Sequence, residues 1–333
     1  MGLREAPDPV ISASDEVLVR VAAVGICGSD MHYFTEGRIG DQVVKFPYTI
    51  GHECAGTVVE VGPAVKRVRP GDRVAIEPAL TCGQCDQCRA GRSNTCRTCR
   101  FLGCPGQIEG ALCEFLVMPE HNCFPLSDDL SFAHGAFSEP LAIGLYAARL
   151  TGLPEDAAIG ILGTGPIGLV VELALADAGH RRIYGTDKID ARLEAARDLG
   201  AGWTGNPDRE DIVREIFRQE PLGLDVVFDC CGKQEALDQA TELLKPGGKL
   251  MAVGIPSVDR VSFKVDDFRR KELVVRNVRR QTECVEDALD LIRREKKKVD
   301  RLLTHRFSFV KTREAFELVE AYADGVIKAV VEI

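Results

Sequence analysis

The sequence predicts an α/β protein of two parts, one β-rich and one built on a doubly wound parallel sheet. Three observations carry this. The first 130 residues hold short β-type runs bounded by Gly62-Pro63 and Pro70-Gly71 turns. From about residue 141, strand and helix patterns alternate, as parallel sheets with crossover helices require. Between them, residues 82–104 are rich in cysteine and have almost no apolar periodicity. At roughly 150 residues per domain, 333 residues fit about two domains.

Taken in order, residues 16–27 are mostly Val, Ala and Ile and read as a strand, as do 56–61 and 73–76. Residues 157–162 read as a strand, followed by a Gly-rich turn and an apolar helix over 166–178 that stops at Gly179. Strand 182–186 and helix 191–199 come next, then strand 224–229 and a helix over 235–244 ending in Lys245-Pro246-Gly247-Gly248. Residues 249–253 and 272–278 complete the strands of this part. The tail from 283 carries an amphipathic helix, a strand near 306–309, a second helix and a last strand at 327–333. No repeat of fixed period and no low-complexity linker is present.

Composition narrows the function classes. The net charge is −9, with 42 basic and 51 acidic residues, which argues against a chain that grips nucleic acid. The most apolar run, 157–171, is shorter than the ~20 residues of a spanning helix and is broken by Gly and Pro. Residues 1–13 carry acids and prolines where a signal peptide has an apolar core, so a cytoplasmic protein is expected. Cytosolic thiols stay reduced, so 13 cysteines point to metal or catalysis before disulfides.

Cys82-x2-Cys85-x2-Cys88-x7-Cys96 is the strongest signal. Four thiolates at this spacing close a tetrahedral zinc site and leave no position for substrate, and the metal supplies folding energy to a segment without a core. Cys99 competes with Cys96 for the fourth place. A second ligand set is Cys27, in Cys27-Gly28-Ser29-Asp30, with Gly51-His52-Glu53. A thiolate, an imidazole and a carboxylate suit a catalytic zinc with one open position, although a core cysteine and a surface His-Glu turn would show the same residues. Ser29 and His32 suit proton movement, and Asp30 suits the second ring nitrogen of a ligand histidine. Glu139, in Ser138-Glu139-Pro140, is an acid in an apolar stretch: either it starts a helix or it reaches the metal or its water.

Gly163-Thr164-Gly165-Pro166-Ile167-Gly168 fits G-x-G-x-x-G between a strand and a helix. An acid, Asp187, stands nineteen residues beyond the last glycine, at the end of the next strand. The glycines admit a pyrophosphate to the helix N-terminus, and the acid hydrogen-bonds a ribose and repels a 2′-phosphate, favouring NAD over NADP. Arg192 and Lys188 nearby offer cations that accommodate such a phosphate.

With these residues in place, the chain resembles the zinc-dependent medium-chain alcohol dehydrogenases, most closely the sorbitol (polyol) dehydrogenase branch. The resemblance runs from about residue 3 to the C-terminus. It is carried by Val24-Gly-Ile-Cys-Gly-Ser-Asp-Met-His-Tyr33, Gly37-Arg-Ile-Gly40, Val43-Val44-Lys45, Gly51-His-Glu53, the cysteine cluster, Glu139-Pro140-Leu141, the glycine loop and Thr304-His305-Arg306-Phe307. It implies a GroES-like β-rich catalytic domain (1–140 and 279–333) interrupted by a Rossmann cofactor domain (141–278), with the active site in the cleft between them. It further implies that Cys27, His52 and Glu53 bind a catalytic zinc, and that Glu139 holds its water or becomes a ligand. Tyr33, Phe115 and Arg280 match pocket positions, with Glu139 beside them. Asp187 and Arg192 match ribose positions, and Val253 and Gly254 match the cofactor crevice. The expected reaction oxidises a secondary alcohol of a polyol to a ketose with NAD⁺, in a homodimer or homotetramer. The rival readings are an amino-alcohol (threonine-type) dehydrogenase, another secondary-alcohol dehydrogenase, and a non-catalytic zinc- and NAD-binding protein. A nucleic-acid regulator would need a basic face such as 293–298 or 276–280, and the first of these reads as a solvated helix end.

Overall fold

The computed structural model describes all 333 residues, which divide into two compact units. One comprises Met1–Glu139 and Val285–Ile333, the other Pro140–Cys284.

In the first unit, the strand Glu16–Gly25 is the organising element of a seven-stranded sheet. It pairs along one edge with Glu53–Val61 and divides the other edge between two partners. Its first half meets Phe115–Pro119, and its last residues, Ala23 to Gly25, meet the C-terminal strand Ala329–Glu332. Val17, Val19 and Val21 alternate inward with the pleat and pack with Val58, Val74, Leu116 and Met118. Gly25 faces Glu53 across the ladder, so the end of one strand and the start of its neighbour lie side by side. That register decides where the flanking residues 27 and 52 fall.

The sequence motif at residue 27 opens a helix, Gly28–Thr35, which weak apolar periodicity had hidden. Cys27 is its N-cap, and Asp30 Oδ2 accepts the Cys27 amide at 3.2 Å, the acid-at-N3 half of a capping box. The 132–149 stretch is likewise a single helix, Phe132–Arg149. Glu139 lies midway along it, so the helix-start reading of this acid is wrong.

In the second unit, six parallel strands stand in the order Trp203–Gly205, Arg182–Thr186, Ala158–Leu162, Leu224–Asp229, Leu244–Ala252, Val274–Asn277. The order in which strands are added reverses beside Ala158–Leu162, which places the switch-point crevice at its C-terminal end. Both faces are covered. Ile159 and Ile161 pack with Val171 and Leu175 on one side, while Ala158 and Leu162 pack with Ile216, Leu237 and Ala240 on the other. The strand Leu244–Ala252 begins earlier than the expected 249–253 and takes in the Lys245-Pro246-Gly247-Gly248 sequence that follows the preceding helix. In the tail of the chain, Lys296–Leu302 is a helix of its own after Val285–Arg294. The lysines therefore begin a helix and do not cap one, with Lys298 paired to Glu295 at 2.9 Å. No helix is long and apolar enough to cross a membrane.

Candidate active site and cofactor loop

The cysteine excursion is closed at its base by the strand pair Ala79–Leu80 and Arg100–Phe101. Within it, Cys82, Cys85, Cys88 and Cys96 bring their sulfurs within 4.8 Å of one another. The closest pairs are 3.6 Å (Cys85–Cys88), 3.5 Å (Cys82–Cys96) and 4.0 Å (Cys85–Cys96). A tetrahedron with Zn–S bonds of about 2.3 Å has edges of about 3.8 Å, so the cluster has the dimensions of a closed zinc site. Backbone N–H groups of Gln84 and Cys85 lower the pKa of the Cys82 thiol to about 6, toward the thiolate a metal requires. Cys99 turns away, with its sulfur 3.5 Å from its neighbour's carbonyl at Arg100, which leaves Cys96 as the fourth member.

The second ligand set also converges. Donor atoms of Cys27, His52 and Glu53 lie within 4.8 Å of one another. Cys27 comes from the N-cap of Gly28–Thr35, and His52 and Glu53 from the start of the opposing strand. Asp30 is fully buried, and its Oδ1 lies 3.3 Å from His52 Nδ1, leaving Nε2 as the free donor of that ring. Burial opposes charge on His52, but the Asp30 carboxylate and the Cys27 thiol outweigh it and raise its pKa well above the usual value. Ser29 Oγ donates to Cys27 Sγ at 3.3 Å. His32 stands one turn further along the same helix, partly exposed, with its Nδ1 3.2 Å from Glu36.

Glu139 is 5% exposed, and its Oε2 has no hydrogen-bond partner. Burial pushes its pKa up to about 8, against the pull of His52 and with the push of Glu53. A buried carboxylate oxygen without a partner suits a divalent cation, but Glu139 is not among the donors that converge, which are Cys27, His52 and Glu53.

A residue absent from the expected set completes this cluster. Lys328, just ahead of the strand Ala329–Glu332, is 2% exposed and sits 2.7 Å from both carboxylate oxygens of Glu53. Its sequence signal is a lone cation inside an apolar run, Val326-Ile327-Lys328-Ala329-Val330.

Tyr33 and Phe115 lie on one cavity of about 970 Å³, together with Tyr48 and Phe34. The metal-site donors are not part of its wall. Tyr33 Oη donates to Gln42 at 3.0 Å, and the Arg20 guanidinium lies 4.6 Å from the centre of the Phe115 ring. Arg280, in the second unit, is half-buried and has φ +52°, a left-handed conformation that costs a non-glycine residue energy.

In the glycine loop, Gly163 has φ +93°, and a Cβ on Gly168 would lie 2.0 Å from the Gly163 carbonyl oxygen. The missing Cβ on Gly168 lets the helix start pack directly on the end of the preceding strand, as the close-packing glycine of a dinucleotide-binding turn does. Gly165 caps the helix Pro166–Asp177, with Pro166 at its first position and Ile167 next to it. Asp187 follows the strand Arg182–Thr186. Its Oδ1 accepts the Ile189 amide at 3.0 Å, and its Oδ2 lies 3.8 Å from Arg192. Val253 and Gly254 donate their amides to the Asp229 carbonyl at the end of the adjoining strand.

The comparisons with known proteins agree with this architecture. Residues 13–128 match the alcohol dehydrogenase GroES-like domain, and residues 166–294 match the zinc-binding dehydrogenase domain. The chain belongs to the zinc-dependent medium-chain alcohol and polyol dehydrogenase family. It is 36% identical to sorbitol dehydrogenase of Bacillus subtilis over 318 residues, covering 95% of this chain and 90% of that protein. It is 38% identical to L-idonate 5-dehydrogenase of Vitis vinifera over 309 residues, covering 91% and 84%. Among solved structures, a Sinorhizobium meliloti 1021 protein assigned as a zinc-binding dehydrogenase and bound to NADP superposes with a TM-score of 0.89. It shares 32% identity and covers 100% of this chain and 96% of that one.

Proposed function

We propose that the protein oxidises a secondary alcohol of a polyol to the corresponding ketose, with NAD⁺ as acceptor. The observation that carries the reading is the convergence of Cys27, His52 and Glu53, whose donor atoms lie within 4.8 Å of one another. In this reading residues 1–139 and 285–333 form the catalytic domain and 140–284 the cofactor domain. The cysteine cluster Cys82, Cys85, Cys88 and Cys96 holds a structural zinc.

When bound, zinc supplies Lewis acidity and NAD⁺ supplies a hydride acceptor. Cys27 and His52 anchor the metal, and Asp30 fixes the His52 ring so that Nε2 faces it. Glu53 and Glu139 provide the carboxylates. Ser29 takes the substrate proton and His32, partly exposed on the same helix, passes it to solvent. Tyr33, Phe115 and Arg280 contact the substrate. Gly163, Gly165, Pro166, Ile167 and Gly168 cradle the pyrophosphate, while Asp187 and Arg192 bind the ribose and Val253 and Gly254 line the crevice. We place the protein in the cytoplasm, in keeping with 13 cysteines that are all free thiols, and assign it a homo-oligomeric state.

The test is reduced-cofactor absorbance with sorbitol, xylitol, ribitol, galactitol, L-idonate, L-threonine and simple secondary alcohols, each with NAD⁺ and NADP⁺. Turnover of a linear polyol with NAD⁺ is expected. Turnover of threonine or simple alcohols alone would overturn the substrate class, and a preference for NADP⁺ would overturn the role of Asp187.

A further inference from the structure

We propose that the cavity beneath residues 1–9 is a binding site for a small molecule with an apolar body, an aromatic ring or an alkyl chain, and a single polar head. The metal donors are no part of its wall, which shares Tyr33 and Phe115 with the proposed substrate contacts. The inference stands without the polyol reading.

The cavity holds about 970 Å³, the size of pockets that enclose a drug-sized ligand, and its wall comes entirely from the first unit. Its aromatic surface is large: Tyr33, Phe34, Phe46, Tyr48, Phe115 and Phe309 all contribute. The Tyr33 and Tyr48 rings meet edge to face, with centroids 6.1 Å apart. The polar tips of this wall are spent on the protein. Tyr33 Oη donates to Gln42 at 3.0 Å, Tyr48 Oη to the Gly103 carbonyl, and Thr312 Oγ1 to the Phe309 carbonyl at 2.6 Å. The Cys113 thiol donates to the Phe115 carbonyl at 3.1 Å. The charged residues of the wall, Arg4, Glu5, Asp8, Glu114 and Arg313, are all exposed, whereas Tyr33, Ile50 and Thr312 are buried. Charge therefore lies at the mouth and apolar surface inside. A polyol would bury hydroxyls there without partners, a loss that an apolar body avoids. Such a body also covers Phe46 and Val310, which are 87% and 76% exposed. Residues 1–9 lie in no helix or strand and residues 1–8 are exposed, with Arg313 Nε donating to the Met1 carbonyl at 3.1 Å. A segment held so lightly swings aside at little cost and gives the ligand its way in.

The experiment is isothermal titration calorimetry on the full chain in the presence of NAD⁺. The probes are 4-phenylbutanamide and octanamide, which carry no alcohol to oxidise, with acetamide as the same head without a body. Each long amide should saturate one site with a negative heat-capacity change, and acetamide should not bind. Val44→Asp puts a carboxylate into the wall and should weaken both long amides about tenfold. Phe46→Ser combined with Val310→Ser strips apolar surface from two exposed positions and should weaken both about threefold. This double variant carries the test if Val44→Asp fails to fold. Saturable binding of neither long amide overturns the site. Affinity unchanged in the folded variants overturns it as well, because the amides then occupy another surface.

Discussion

Glu172 lies on the helix after the glycine loop, fully buried, with its carboxyl group near the Ala201 backbone. Burial pushes its pKa well above the carboxylate range, and the Ala201 backbone draws it only partly back. Below the unfolded carboxylate pKa, both states carry the proton and no penalty arises. As the pH rises above that value, the unfolded chain releases its proton and the folded chain keeps it, so stability falls with pH. Glu172→Met should gain about 1–3 kcal/mol at pH 8 and flatten the decline between pH 5 and 8, as read from urea midpoints. Equal pH slopes in both proteins would count against this. Gly25 is the opposite case, a position where nothing can be added. Gly25→Ala drives a methyl into the Glu53 carboxylate and should lower metal content at the Cys27 site as well as cost about 1–3 kcal/mol, checked by metal analysis and thermal melts. Neither residue was conspicuous in the sequence. A glutamate in an apolar helix and a glycine at a strand end reveal their roles only when the neighbouring chain is in place.

At the scale of elements, what could be read from sequence was what is local. The four cysteines span fifteen residues, so their spacing alone constrains them to one site. The glycine loop announces itself because its strand, turn and helix are consecutive. Cys27 and His52 are 25 residues apart in the chain, and what joins them is the antiparallel register that sets Gly25 against Glu53. That register depends on which face of Glu16–Gly25 is buried, a tertiary property. Lys328 is further still in sequence and arrives only because the C-terminal strand pairs with the last residues of Glu16–Gly25. The helix Gly28–Thr35 was missed because its stability comes from capping and from packing of Tyr33, with little apolar periodicity to see. The cysteine lobe gives a prediction at this scale. Its own core is small, chiefly Ala79, Phe101 and Cys104, so it depends on metal. Cys96→Ser should expose the 82–104 segment to limited proteolysis and release one zinc equivalent, while Cys99→Ser should do neither. A protease-resistant Cys96→Ser lobe would contradict the assignment.

For the whole molecule, the proposed function assigns cofactor chemistry to the unit with the parallel sheet and metal chemistry to the β-rich unit. Asp187, at the end of its strand and 3.8 Å from Arg192, sets the cofactor preference in this account. Asp187→Ala should raise the kcat/KM ratio of NADP⁺ to NAD⁺ at least tenfold, a change of about 1.4 kcal/mol. An unchanged ratio would remove Asp187 from that role. The edge strand Val274–Asn277 is exposed along its length, with Val258, Val261 and Val265 also exposed. An apolar, unpaired edge favours pairing with a second copy. Val275→Lys should therefore lower the molar mass in light scattering, and an unaltered mass would place the contact elsewhere. The central claim, that zinc at Cys27 and His52 drives polyol oxidation, is tested most directly by polyol-dependent NADH formation measured against the zinc content of that site. The account predicts that activity disappears when this zinc is removed by chelation and returns in proportion as it is restored, with the cysteine-cluster zinc still in place. Full turnover in protein whose Cys27 site holds no metal would contradict it.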